Sequence, residues 1–248
     1  MSSPQLTGSE CISPSSAAMA KRSAAEASEK VREAVVTNMN ELDMEKFSVK
    51  QRGKEGDLPF FYASYDHRQL VLKLQSDKWF RLPFPIDAYD EASKALYVSV
   101  EVDTDVATVT QKVEDVIKAQ VMTALPKAEW KDSVRQNGAY DPVFKTKLFI
   151  KALTETQLSN CTVREFGKAP MRNLTGEALM PLLKANRGFQ NAKVKLGVAL
   201  AKVYIMHGKR GEIIAGVTWR ITNMMADLEE NVATTYTDIF ADEEFPAQ

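Results

Sequence analysis

Tyr140-Asp141-Pro142-Val143-Phe144-Lys145-Thr146-Lys147-Leu148-Phe149-Ile150-Lys151 is the stretch whose reading decides the fold. Within it Phe144, Thr146, Leu148 and Ile150 alternate with Lys145, Lys147, Phe149 and Lys151. That period of two belongs to a strand with one face inward and one toward solvent. The Asn137-Gly138 pair ahead of it marks a turn. Downstream, residues 193–206 and 212–224 read as two longer strands. They are joined by His207-Gly208-Lys209-Arg210-Gly211, a glycine-flanked hairpin turn with a basic tip. In the second, Ile213, Ala215, Val217, Trp219 and Ile221 share one face and Thr218 and Arg220 the other, which assigns Trp219 to the core. In the first, Tyr204 shares a parity with Lys202, and so does Leu200. Upstream, residues 94–102 set Leu96, Val98, Val100 and Val102 on one face and Lys94, Tyr97, Ser99 and Glu101 mostly toward the other. Residues 47–51, 58–65 and 69–74 read as short antiparallel strands, followed by a proline-punctuated bend over residues 79–85.

Between residues 104 and 125 the period becomes helical. Val106, Val109, Val113, Val116, Ile117 and Val121 recur at steps of three and four, and Pro126 marks the end. A weak N-terminal helix is expected from about residue 19 to residue 44, where Val31, Ala34, Val35, Asn38, Met39 and Leu42 form a ragged stripe. Residues 167–191 carry glycine and proline without a clear period and read as a long connection, the kind of loop that is functional or disordered. Short strands, one central helix and then more strands predict a mainly β fold. Its form is a small antiparallel barrel with an inserted helix and flexible termini.

The chain of 248 residues is 44% hydrophobic and carries a formal net charge of −1. That near-neutral total conceals a division. Residues 143–220 hold fourteen Lys and Arg against four Asp and Glu, whereas no Lys or Arg follows Arg220. Beyond it come Asp227, Glu229, Glu230, Asp238, Asp242, Glu243 and Glu244, with Tyr236, Phe240 and Phe245 among them. An acidic segment without apolar periodicity does not bury enough surface to offset its ordering entropy, so it reads as a tail. The expected organisation is a flexible arm over residues 1–45, a folded body over residues 46–224 and an acidic tail over residues 225–248.

Catalytic signatures are missing. His67 and His207 lack acidic or cysteine partners at ligand spacing, so no metal is expected. No phosphate-cradling GxxxxGK[ST] or GxGxxG motif occurs, no serine elbow is present, and no cofactor or catalytic residue is assigned. Cys11 and Cys161 suggest no disulfide framework and point to a reducing compartment, cytosol or nucleus. No apolar run reaches the roughly 20 residues that span a bilayer, and the first residues lack a secretory pattern.

What the sequence offers instead is a basic strand face that includes an aromatic ring. Single-stranded nucleic acid is held by cations along its phosphates and by rings on which bases stack, each stack worth about 1 to 3 kcal/mol. Lys145, Lys147, Phe149 and Lys151 present that combination. The positive excess continues through Arg164, Lys168, Arg172, Lys184, Arg187, Lys193, Lys195, Lys202, Lys209, Arg210 and Arg220. Phe189 and Tyr204 are the further candidate platforms. A solvated sheet face with one exposed Phe is the plainer interpretation of the same strand.

In three places the chain resembles the oligonucleotide-binding (OB) fold single-stranded DNA-binding proteins of short-tailed phages and nucleocytoplasmic large DNA viruses. These are the stretch from Tyr140 to Leu148, the paired strands with Trp219 near the end of the second, and the acidic aromatic tail. The resemblance spans residues 47–245 and implies an OB-fold-like barrel that coats single-stranded DNA in replication, recombination and repair. It also implies that Lys145, Lys147 and the adjoining loop cations contact phosphates. By the same resemblance the tail, through Asp238, Phe240, Asp242, Glu243, Glu244 and the anchor Phe245, contacts polymerase, primase or helicase, or occupies the DNA groove. The chain departs from that pattern in continuing to Pro246, Ala247 and Gln248, and in its first 44 residues. An adaptor whose tail is a peptide ligand, and an RNA-binding protein, remain the alternatives, and a homodimer is left open.

Overall fold

The computed structural model describes residues 34–55, 58–74, 78–88, 94–136, 138, 140–151 and 158–228. Along the chain run β1 (Val35–Asn38), β2 (Phe47–Glu55), β3 (Leu58–Tyr65), β4 (Leu70–Leu74), β5 (Phe80–Arg81), β6 (Asp87–Ala88) and β7 (Ala95–Glu101). The helix α1 (Thr104–Ala124) follows, then β8 (Glu129–Lys131), β9 (Val134–Arg135), β10 (Val143–Phe149), β11 (Asn160–Arg164) and β12 (Met171–Thr175). The short helix α2 (Met180–Ala185) precedes β13 (Lys193–His207) and β14 (Ile213–Asp227).

Five of these strands close a ring. β5 pairs antiparallel with β7, β7 with β10, β13 with β14, and β13 with β5. The circuit is completed by β10 and β14, which run parallel through Lys147 opposite Arg220 and Leu148 opposite Ile221. Numbered along the chain, the ring reads 1-2-3-5-4 and returns to 1, with strands 3 and 5 parallel. That is the order of an OB barrel. β4 continues the first strand along β13, and β1 lies parallel to β4 at the edge. The β2–β3 hairpin meets β13 at Phe61 and Val203, while β8 and β11 flank β14.

Alternation builds the interior. Leu96, Val98, Val100, Phe144, Leu148, Val194, Val198, Val217, Trp219 and Ile221 are all buried inside the ring's strands. The Trp219 ring meets Phe144 edge-on at 5.9 Å between centroids. α1 starts where Asp103 Oδ1 accepts the Val106 amide at 2.9 Å, and it buries Val106, Thr110, Val113, Glu114, Ile117 and Val121. Glu114 is polar in that apolar stripe, and it is fully satisfied: Trp219 Nε1 donates to it at 2.8 Å, the Ser133 amide at 3.1 Å, and the Ser133 hydroxyl as well. Burial holds its carboxyl above the usual carboxylate range. On β11, Cys161 is likewise buried, its thiol pushed up to about 12 by desolvation.

Four expectations are corrected. Residues 35–38, placed by their stripe in a helix, form an edge strand because Val35 and Val36 gain hydrogen-bonded pairing along β4. The part of that helix before residue 34 falls outside the described residues. Residues 167–191 are not a bare loop but hold β12, α2 and 3₁₀ turns. β14 continues to Asp227, and Leu228 is buried with its amide donating to the Arg164 carbonyl at 2.9 Å. The folded body thus extends beyond residue 224, as it also begins before residue 46. Finally, a bulge between Leu200 and Lys202 on β13 reverses the parity read from the sequence, so Leu200 points inward and Lys202 outward.

Candidate nucleic-acid interface

The outer face of β7 and β10 is the floor of the site. Their register sets Ala95 opposite Phe149, Tyr97 opposite Lys147, Ser99 opposite Lys145 and Glu101 opposite Val143. At about 3.3 Å per residue these four pairs extend over about 20 Å. Two cavities lie in succession along them.

The first, of about 460 Å³, is lined by Lys94, Tyr97, Lys147, Phe149, Lys202 and Arg220, with Ala95, Ala201 and Thr218 between them. Each cation arrives by a separate structural route. Lys147 stands on the central strand, and Arg220 is its parallel neighbour on β14. Lys202 is turned outward by the β13 bulge to face Thr218. No carboxylate among the described residues lines this cavity; Asp87 stands opposite Tyr97 on β6, outside the lining. Concentrating charge in this way has a cost that the site retains. Burial, and then the nearby Lys202, hold the Lys147 ammonium below its ordinary range, with its Nζ 5.2 Å from the centroid of the Tyr97 ring. Burial lowers Arg220 too, and its Nε is buried without a hydrogen-bond partner. Arg220 thus keeps an unused charged donor beside a concave, basic surface.

The second cavity, of about 540 Å³, is lined by Pro83, Phe84, Ser99, Glu101, Arg135, Tyr140, Asp141, Val143 and Lys145. Two of its rings face solvent, Tyr140 at 80% exposure and Phe84 at 57%. The Phe84 turn is fixed from below, since the Leu82 amide donates to the Ala192 carbonyl and the Ile86 amide to the Gly188 carbonyl at 2.7 Å. Gly188 is required there: its φ is +63°, and a Cβ would lie 2.8 Å from Pro85 Cβ.

The residues singled out from the sequence divide accordingly. Lys147, Phe149, Lys202 and Arg220 converge in the first cavity, and Lys145 lines the second. Arg164 is paired with Asp227, Lys168 with Glu165 and Lys151 with Glu177, and none of the three lines either cavity. Lys195 lies over the Trp79 ring at 5.2 Å, outside both linings. Arg172, Lys184, Arg187, Lys193, Lys209 and Arg210 are exposed and line neither cavity. Phe189 is corrected: at 1% exposure it is core and stacks on nothing outside. Tyr204 is half-buried opposite Gly216, where a Cβ would come within 2.5 Å of its hydroxyl, and it lines neither cavity. The tail residues Asp238, Phe240, Asp242, Glu243, Glu244 and Phe245 lie outside the described residues. Sequence reasoning missed Lys94 and Tyr97 as site residues. Both were signalled by their outward placement on the 94–102 strand, but nothing in the sequence says that β7 and β10 are neighbours.

The ring order defines an OB-type barrel, and its outer face carries a basic, aromatic groove. No family model matches the chain, and no curated protein does. Among solved structures it is similar to gp2.5, a single-stranded DNA-binding protein encoded by bacteriophage T7. The two are 15% identical over 73% of this chain and 97% of that one, with a TM-score of 0.40. It is also similar to a single-stranded DNA-binding protein from bacteriophage Enc34, 9% identical over 79% of this chain and 98% of that one, with a TM-score of 0.35. Likeness at that level transfers no ligand, so what this chain binds rests on its own groove.

Proposed function

We propose that this chain is a non-enzymatic protein that binds single-stranded DNA along the outer face of β7 and β10. The observation that carries the proposal is the convergence of Lys94, Lys147, Lys202 and Arg220 with Tyr97 and Phe149 in one concave site. This face belongs to the second and third strands of the ring, the face on which OB barrels hold oligonucleotides and oligosaccharides. A polyanion satisfies the Arg220 donor and relieves the mutual repulsion of Lys147 and Lys202. Four cations favour a polyanion over a neutral sugar polymer, and exposed rings supply stacking surfaces for its bases. A closed duplex presents no free base faces, so the rings favour a single strand. In this reading the protein coats single strands during replication, recombination or repair, and its acidic tail meets replication proteins such as a polymerase, primase or helicase.

A fluorescent oligonucleotide titrated at several salt concentrations tests the proposal. The logarithm of the association constant should fall linearly with the logarithm of salt concentration. Each phosphate neutralised contributes about 0.7 to the slope for a single strand. Lys147→Ala should weaken binding and flatten that slope by about the same amount. No detectable binding at low salt would overturn the proposal.

A further inference from the structure

The two cavities differ in charge as well as position. The first holds four cations, whereas in the second Glu101 and Asp141 stand among Arg135, Lys145 and the exposed rings of Phe84 and Tyr140. Carboxylates beside a phosphate track repel it, so the second cavity is not a continuation of that track. Rings and mixed-sign polar groups are instead what a base needs: a face to stack on, acceptors for its amino group and donors for its ring nitrogen or carbonyl. We infer that the second cavity is a base-reading subsite, with Glu101 and Asp141 selecting the bases that carry an exocyclic amino group, cytosine, adenine and guanine, over thymine, which has none. The inference rests on the single-stranded DNA reading above.

The edge chemistry sets the preference. Cytosine offers its N4 amino donor next to acceptors at N3 and O2, and adenine its N6 donor next to N1. A carboxylate acceptor flanked by a cationic donor matches that order. Thymine presents carbonyl acceptors on both sides of a single N3–H, so where cytosine places its N4 donor thymine places O4 against the carboxylate. Arg135 and Lys145 line the same cavity and supply its donors. Glu101 is shared with Arg81 at 3.5 Å, a distance that leaves it acceptor capacity, and Asp141 is exposed beside Tyr140. The outcome is a graded compositional preference along a strand bound mainly by its backbone.

The test compares oligo(dC) and oligo(dT) of one length on the full chain and on Asp141→Asn and Glu101→Gln/Asp141→Asn. Wild type should bind oligo(dC) about fivefold or more tightly than oligo(dT). The double variant should bring the ratio near one, and Asp141→Asn should shift it part of the way. Lys147→Ala, which touches the phosphate track, should weaken both polymers and leave the ratio unchanged. Equal binding of both polymers by wild type, or a ratio that survives the double variant, overturns the inference while single-stranded DNA binding stands. Failure to bind either polymer overturns the underlying reading itself.

Discussion

Arg220 is the residue at which fold and function separate most clearly. It lines the first cavity from β14, its Nε is buried without a partner, and desolvation holds the guanidinium below its ordinary range. An unmade bond of this kind costs about 1 to 3 kcal/mol in the free protein, and it is repaid when an anion arrives. Arg220→Met keeps an aliphatic stem and removes the uncompensated charge. The variant should therefore melt at or above the wild-type temperature, yet bind an oligonucleotide about tenfold more weakly at low salt, since a charge-assisted bond is worth about 1.5 to 3 kcal/mol. Thermal unfolding and a binding titration on the same preparation decide it. A variant that loses stability instead would make Arg220 a structural residue. Glu114 is the contrast: more deeply buried, but saturated by Trp219 and Ser133, and so a strut rather than a site.

At the level of elements, the strands were legible because alternation is a local property. β7, β10, β13 and β14 are each within a few residues of the sequence reading, and α1 ends within one residue of it. What could not be read was anything set by a neighbour. β1 is only four residues long, and the stripe that runs into it from residue 31 hides its β-branched Val35, Val36 and Thr37 until β4 pairs with them, while β12 has too short a run to declare itself. The bulge at Lys202 is invisible in a pattern that assumes strict alternation, yet it delivers one of the four cations to the groove. Phe189 shows the opposite error: a ring in a glycine-containing segment reads as a platform, but the segment folds under residues 82–86 and buries it. Phe189→Ala should cost about 3 to 5 kcal/mol in denaturant-induced unfolding, the usual loss for a buried Phe. Its folded form should retain more affinity for an oligonucleotide than Arg220→Met does. Abolished binding at unchanged stability would restore Phe189 as a contact.

At the scale of the whole molecule, the question is how a body with fourteen cations in residues 143–220 shares one chain with an end that has none. Residues 229–248 carry six carboxylates together with Tyr236, Phe240 and Phe245, the same two kinds of group that a nucleic acid presents to a basic, aromatic groove. Tethering gives such a segment an effective local concentration in the millimolar range, enough for weak contacts to compete with a ligand in solution. Removing it tests the competition, and the position of the cut matters. A cut after residue 225 would take Ala226 and Leu228 out of the core and Asp227 away from Arg164, so lost binding would report unfolding. With the chain ended after Leu228 the body stays whole. Affinity for an oligonucleotide should then rise at low salt, and the gain should shrink as salt screens the carboxylates, since the Debye length falls to about 8 Å near physiological ionic strength. Equal affinities at every salt concentration would mean that the acidic segment does not compete for the groove and is left to serve protein partners.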